Sequence, residues 1–385
     1  MDAQVNSKIG RAVNSHAKNT DLEALRCIAI VYTVLAHTWD VFWPKYIAVA
    51  LSQFSNFGSG VDLFFCISGF IITSSLKTNL PAKRNWSGFV KFAIPFWIKR
   101  FWRLAPASWT WIAVTVVLAA TFSGVGGFQS LWANYTDALS ALTQTANFRF
   151  AECRPTNSCG NMGIYWSLSL EEQFYLIFPF LLFFLPAKRL AYAMLIIIAA
   201  QFFIPRSVVT PLWSFRTEAI AVGVLLGIWK GSATYEMMRP RALQNRWVAV
   251  PVMVILAGLL AAISRNDQVV FFTIGLVALI AGAIVWIASY DSGYVLPRGL
   301  LGRLVLAIGE RSYVIYLVHF PMIFVTFVID SHFQGIRHEI TLKSLIFLTL
   351  TVSCTEITHR FIEKPLRGSG RKYADAFSQR TAVGA

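Results

Sequence analysis

Charged residues are scarce in this sequence. Asp, Glu, Lys and Arg make up 14% of it, where a soluble globular domain carries about one quarter. Acids are scarcer still, 19 against 34 Lys and Arg, which leaves a net charge of +15. No small-residue cleavage site follows the first apolar stretch, so residues 1–21 do not read as a secretory leader. Internal repeats, low-complexity tracts and a linker to a second domain are missing too, which argues against a solenoid or a multidomain array. Cysteine is sparse, five residues in all. Neither Cys153 nor Cys159 has a histidine or a further cysteine nearby to build a zinc site.

What is present is apolar. Hydrophobic residues make up 56% of the chain, gathered into runs long enough to cross a bilayer. The pattern predicts an all-α, polytopic membrane protein with about ten spans, at 22–43, 60–76, 105–123, 166–185, 190–205, 212–229, 247–264, 269–290, 312–330 and 342–360. With both termini on the cytoplasmic side, the inner segments hold 24 Lys and Arg and the outer segments 6. That is the asymmetry of the positive-inside rule, and it accounts for the basic balance without nucleic acid. Residues 1–21 are expected to be a cytoplasmic tail, 22–365 the membrane domain, and 366–385 a polar, disordered cytoplasmic tail. Residues 131–147 could lie as an amphipathic helix on the outer surface and 86–98 in the inner interface. Cys27, Cys66 and Cys354 fall in spans as packing residues. Cys153 and Cys159 share an outer loop, where an oxidising compartment would allow them to pair.

Ionisable groups inside spans are costly and usually face a cavity. Arg26 and His37 are eleven residues apart, so on a helix they share a face to within about 20°, separated by about 16 Å of rise. Asp40 lies one turn beyond His37, within reach of its imidazole. Such a histidine suits a general base acting on a hydroxyl. Snorkelling of Arg26 to the headgroups and an interhelical hydrogen bond from His37 are the plainer alternatives. Asp62 opens the second span and Ser68-Gly69 interrupts it. Lys99, Arg100 and Arg103 line the inner surface among Trp97 and Trp102, facing either anionic lipid or a phosphate-rich cofactor. Glu171, Glu172 and Gln173 lead an apolar run, Arg216 and Glu218 sit in another, and His319 lies mid-span before Pro321.

Together these segments resemble the acyltransferase-3 family of integral membrane O-acyltransferases. The resemblance covers roughly residues 20–367. Its markers appear in order: Arg26 with ten residues before His37, GVDLFFCISGF, IKRFWRLAP, YWSLSLEEQFYL, RTEAIAVG, SYVIYLVHFP and FIEKP. Cys66 stands where many relatives have a plain aliphatic or small residue. The resemblance implies an enzyme that moves an acyl group, usually acetyl, from cytoplasmic acetyl-CoA to a hydroxyl of a cell-surface or exported carbohydrate. It implies the form that lacks a C-terminal esterase-like domain, no metal, and a multi-pass place in the cell inner membrane. Its motif histidine and arginine map onto His37 and Arg26.

The expected partners are membrane lipids, a carbohydrate or lipid-linked glycan acceptor and glycan-assembly machinery, with no nucleic acid. The expected catalytic set is His37, Arg26, Asp40, Glu171 and Glu172, with His37 as base or as acyl carrier. The expected donor-binding set is Arg26, Lys99, Arg100 and Arg103. The expected acceptor-binding set is Asp62, Ser68, Trp166, Gln173, Tyr175, Arg216, Glu218 and His319. A proton-coupled transporter or flippase of a glycolipid would also keep Arg, His and Glu inside its spans. A non-catalytic scaffold would not depend on His37.

Overall fold

A computed structural model describes residues 18–81, 83–204, 206, 210–265, 270–332 and 340–383. Residues 1–17, most of the expected N-terminal tail, lie outside the described residues. The chain folds as α1 (Thr20–Phe42), α2 (Lys45–Ser52), α3 (Gly60–Lys77), α4 (Trp86–Phe122), α5 (Leu131–Leu142), α6 (Ala146–Cys153), α7 (Tyr165–Phe184) and α8 (Ala187–Phe202). It continues as α9 (Glu218–Trp229), α10 (Ala233–Met237), α11 (Arg246–Ser264), α12 (Thr273–Ser289), α13 (Gly299–Glu310), α14 (Ser312–His332), α15 (Ile340–Thr358) and α16 (Lys364–Val383). No strand occurs among the described residues.

Every expected span is helical over most of its described length; in 212–229 a 3-10 turn, Pro211–Phe215, is separated from α9 by Arg216 and Thr217. Seven helical stretches are long and apolar enough to cross a membrane. The other three expected spans are α1, interrupted by Asp21, Glu23 and Arg26, and the shorter α8 and α12. The protein is a multi-pass, all-α membrane protein.

Local chemistry sets the starts of these helices. Asn19 caps α1, its side chain accepting from the Leu22 N–H at 2.8 Å, as an N-cap should. Asp21, fully buried in the first turn, accepts from the backbone N–H groups of Tyr294, Val295 and Leu296 at 3.0, 3.1 and 2.9 Å. One carboxylate thus ties the start of α1 to the loop after α12.

α3 forms the middle of the bundle, packed on α1, α7, α9 and α12. Its contact with α9 is made through small residues. A Cβ on Gly69 would strike the Ile220 carbonyl oxygen, and one on Gly223 would strike the Cys66 carbonyl oxygen. Membrane helices lack a hydrophobic force between them, so close backbone approach through glycine is a main source of their packing energy.

The structure departs from the sequence-based expectation in three places. Residues 86–98, expected in the inner interface, are not separate from the span. They continue into the span as a single 37-residue α4 that contains Pro95 and Pro106. The stretch 364–383 is helical rather than disordered. It lies along α4, where Gly370 meets Trp102, Tyr373 stacks on Trp102 at 5.4 Å and Ala374 is fully buried. The loop after α12 contains α13, which packs on α1 with Gly309 against the Glu23 backbone.

Around the 131–147 stretch, α5 leaves Leu131, Trp132, Tyr135, Leu139 and Leu142 exposed and buries Asn134, Asp137, Ala138 and Ala141. That is the two-faced pattern of an interfacial helix. A disulfide joins Cys153 to Cys159 just after α6.

The α3–α9 contact can be tested directly. Gly223→Val should overpack it at a cost of about 1–3 kcal/mol. We expect a lower thermal midpoint in detergent, read by fluorescence-detected gel filtration. Gly258→Val, whose added Cβ would meet nothing within 4 Å, should leave the midpoint in place.

Candidate active site

The bundle holds a half-open cavity of ≈ 70 Å³, room for several waters. α1 supplies Arg26, α3 supplies Ser68, α4 supplies Arg100 and Arg103, α7 supplies Ser167, Glu171 and Tyr175, and α14 supplies Ser312, Tyr313 and Tyr316. Helix α4 is fastened to its neighbours at this level. Trp97 Nε1 donates to the Tyr175 carbonyl at 3.0 Å, and the Tyr313 hydroxyl donates to the Leu104 carbonyl at 2.7 Å. The spacing of Arg100 and Arg103 puts both on one side of α4, and the cavity lies there.

The wall is cationic. Three guanidiniums face one carboxylate, that of Glu171. Both the Ser68 and Tyr175 hydroxyls donate to Glu171 Oε1. Arg100 lies over the rings of Tyr175 and Phe96, 5.0 and 5.5 Å from their centroids. Arg26 donates to Glu23 Oε1 at 2.5 Å, and Lys18 reaches the same carboxylate at 3.1 Å. Among the described residues, Arg103 Nε is buried with no hydrogen-bond partner. A buried donor of that kind normally finds an acceptor, and an anion in the cavity would supply one.

The histidines adjoin this cavity. His37 and His319 stand with ring centroids 5.2 Å apart, His319 Nε2 lying 3.2 Å from His37 Nδ1. Tyr316 lines the cavity, bonds to the Ser167 hydroxyl at 2.6 Å, and sets its ring against His319 at 5.7 Å. His319 is fully buried, while His37 is half-buried.

The remaining candidate residues are placed elsewhere. Asp62 and Arg216 form a buried two-pronged ion pair, at 2.8 and 2.5 Å, with Arg216 over the Trp213 ring at 4.6 Å. Glu218 pairs with Arg206, both buried. These charges are compensated by each other and do not line the cavity. Gln173 donates to the Gln144 carbonyl and to Asn147 Oδ1, at 2.7 and 2.9 Å, joining α7 to α6 and the turn before it. Trp166 packs between Phe65 and Trp213. Lys99 points to α16 and pairs with Asp375 at 3.2 Å. Glu172, one residue beyond Glu171, is turned by about 100° on the helix and lies off the cavity wall. The side chain of Asp40 lies outside the described residues.

Sequence reasoning missed Ser167, Ser312, Tyr313 and Tyr316 in the cavity, and Glu23 and Arg206 as partners of charges. One signal was available. Ser312, Tyr316 and His319 are spaced i, i+4, i+7, a polar stripe on an otherwise apolar helix.

The sequence matches the profile of a family described as an acyltransferase domain over residues 19–356. The chain belongs to the acyltransferase-3 family. It is 28% identical over 371 residues to the peptidoglycan O-acetyltransferase OatA of Listeria monocytogenes, covering 91% of this chain and 56% of the relative. It is 27% identical over 390 residues to the O-acetyltransferase OatA of Staphylococcus aureus, covering 91% and 57%. The chain therefore spans about half the length of the curated relatives it matches. No solved structure matches it.

The buried pair on α3 yields a stability prediction. Asp62→Ala or Arg216→Ala strands a buried charge, at about 3–5 kcal/mol each. Asp62→Leu combined with Arg216→Met removes both charges together. We expect the double variant to melt in detergent at a higher temperature than either single variant.

Proposed function

We propose that this protein is a membrane O-acetyltransferase that moves an acetyl group from acetyl-CoA to a hydroxyl of a cell-surface carbohydrate, with peptidoglycan the leading acceptor. The observation that carries this is the cavity itself. Three arginines from two helices converge on it, and a histidine pair stands behind one of its walls. Guanidinium groups hold phosphate oxygens through forked, charge-assisted hydrogen bonds. Arg100 and Arg103, with Arg26, would grip the phosphates of the donor, and Arg103 Nε would gain the acceptor it lacks. The 24-to-6 division of basic residues puts the arginine side of the bundle toward the cytoplasm, where acyl-CoA is made. The membrane would then be the cytoplasmic one.

In the reaction, His37 takes the proton from the acceptor hydroxyl as the oxygen attacks the thioester carbonyl. The tetrahedral intermediate collapses and expels the coenzyme A thiolate. That thiolate leaves with the proton held by His37, so base and acid roles balance over one turnover. Ser68 and Glu171 lie on the cavity wall, where a hydroxyl and a carboxylate can orient the acceptor.

The test uses membranes that contain the wild type, His37→Ala, or no protein, supplied with acetyl-CoA labelled on the acetyl group. Label should enter the glycan fraction with the wild type and fall at least about 100-fold with His37→Ala. Equal labelling in that variant would remove His37 from the mechanism. Arg100→Gln and Arg103→Gln should each raise the KM for acetyl-CoA about tenfold or more, since a hydrogen bond to a charged group contributes roughly 1.5–3 kcal/mol. The kcat should change less.

A further inference from the structure

We propose that His319 is the positioning residue for His37: it accepts the His37 Nδ1 hydrogen and so keeps the lone pair of His37 on Nε2. This deepens the function proposed above and rests on His37 as the base.

The inference follows from three contacts and the hydrogen-bonding rules of imidazole. His37 Nδ1 lies 2.9 Å from the Thr33 carbonyl oxygen. His319 Nδ1 lies 3.1 Å from the Ile315 carbonyl oxygen. His319 Nε2 lies 3.2 Å from His37 Nδ1. A carbonyl oxygen only accepts, and a neutral imidazole carries one N–H and one lone pair. The hydrogen of His319 is therefore on Nδ1, pointing at Ile315, and its lone pair is on Nε2. The hydrogen of His37 is likewise on Nδ1, shared between the Thr33 carbonyl and the lone pair of His319. The opposite tautomers would set a lone pair against a carbonyl oxygen at both rings. For neutral rings this is the one assignment that satisfies all three contacts.

The consequence is directional. With Nδ1–H held from two sides, the basic nitrogen of His37 is Nε2. When Nε2 takes up a proton, Nδ1–H becomes a stronger donor and the lone pair of His319 faces it directly. His319 thus takes the part of the group that orients the base in a nucleophile–base–orienter arrangement, with imidazole in place of a carboxylate. Its own position is fixed. It is fully buried, its Nδ1 is held by the helix that carries it, and Tyr316 packs against its ring. Phe320 closes a further side of His37, edge-on at 5.2 Å.

Two substitutions separate positioning from packing. His319→Gln carries an amide oxygen about where Nε2 sits, so an acceptor for His37 remains. His319→Leu fills similar volume without one. The readout is transfer of label from acetyl-labelled acetyl-CoA to the endogenous glycan of the membranes, at matched amounts of monodisperse protein, with His37→Ala as control. Positioning predicts that His319→Leu lowers kcat about 100-fold, that His319→Gln stays within about tenfold of the wild type, and that the KM for acetyl-CoA moves less than about threefold in either.

A packing role predicts the reverse order, because leucine suits a buried apolar site better than an amide does. Leucine equal to or better than glutamine overturns the proposal. Activity that survives His37→Ala removes the base, and the proposal falls with it. Loss in His37→Ala together with full activity in His319→Leu overturns the positioning role alone. A second measurement does not depend on turnover. In protein labelled with nitrogen-15 at histidine, the His37 signal, assigned by its absence in His37→Ala, should show hydrogen on Nδ1. Hydrogen on Nε2 in the neutral ring would overturn the proposal whatever the variants do.

Discussion

Charge inside a membrane bundle needs a partner within a few ångströms, and this requirement sorts the ionisable residues of the protein into two kinds. Asp62 with Arg216, and Glu218 with Arg206, balance each other's charge and are sealed from solvent. Such pairs hold helices in register, and breaking one leaves a charge stranded in a low dielectric. Arg100 and Arg103 are held differently. One rests on aromatic faces and the other keeps a buried N–H without an acceptor. Arg206 keeps an unbonded buried Nε as well, so among the described residues it is a partner carboxylate, not full hydrogen-bond satisfaction, that sets the scaffold pairs apart from Arg100 and Arg103.

Much of the bundle is legible in the sequence, because a helix in lipid must satisfy its own backbone and be apolar for most of its length. The ten apolar runs are mostly helical for that reason, the one at 212–229 being broken at Arg216 and Thr217. The misses have physical causes. Residues 86–98 read as a stretch of the inner interface apart from the span at 105–123, yet α4 runs unbroken through both and through Pro95 and Pro106, since neighbouring helices and side chains can take over the freed backbone groups of a membrane helix. The polar stretch 364–383 reads as disordered because its composition is that of a tail. Gly370, Tyr373 and Ala374 nonetheless make a narrow face that fits Trp102, a tertiary match that composition does not register.

The site is only partly legible. Arg26, Ser68, Arg100, Arg103, Glu171 and Tyr175 are recognisable because a polar or charged group in an apolar run is conspicuous. Their convergence depends on which helices touch, which the sequence does not state. Asp62, Arg216 and Glu218 are equally conspicuous and belong to the scaffold, because conspicuousness reports the cost of a buried charge and not its purpose. Tyr313 and Tyr316 escape notice because tyrosine is ordinary in a membrane helix. His319 stands out in the sequence as a group near substrate. The structure instead sets it off the cavity wall, behind Tyr316 and against His37.

The glycine contact between α3 and α9 has a mechanical consequence. Where backbone meets backbone there are few side-chain rotamers to exchange, so the two helices cannot slide past each other by repacking. They behave as one plank. Val61, Phe64, Phe65 and Ser68 belong to that plank and form one wall of the cavity. Any widening of the cavity during turnover would therefore have to come from walls held by side chains, such as α14, where the Tyr313 and Tyr316 hydroxyls donate to the Leu104 and Ile164 carbonyls. Glycine thus decides which wall of the cavity is rigid.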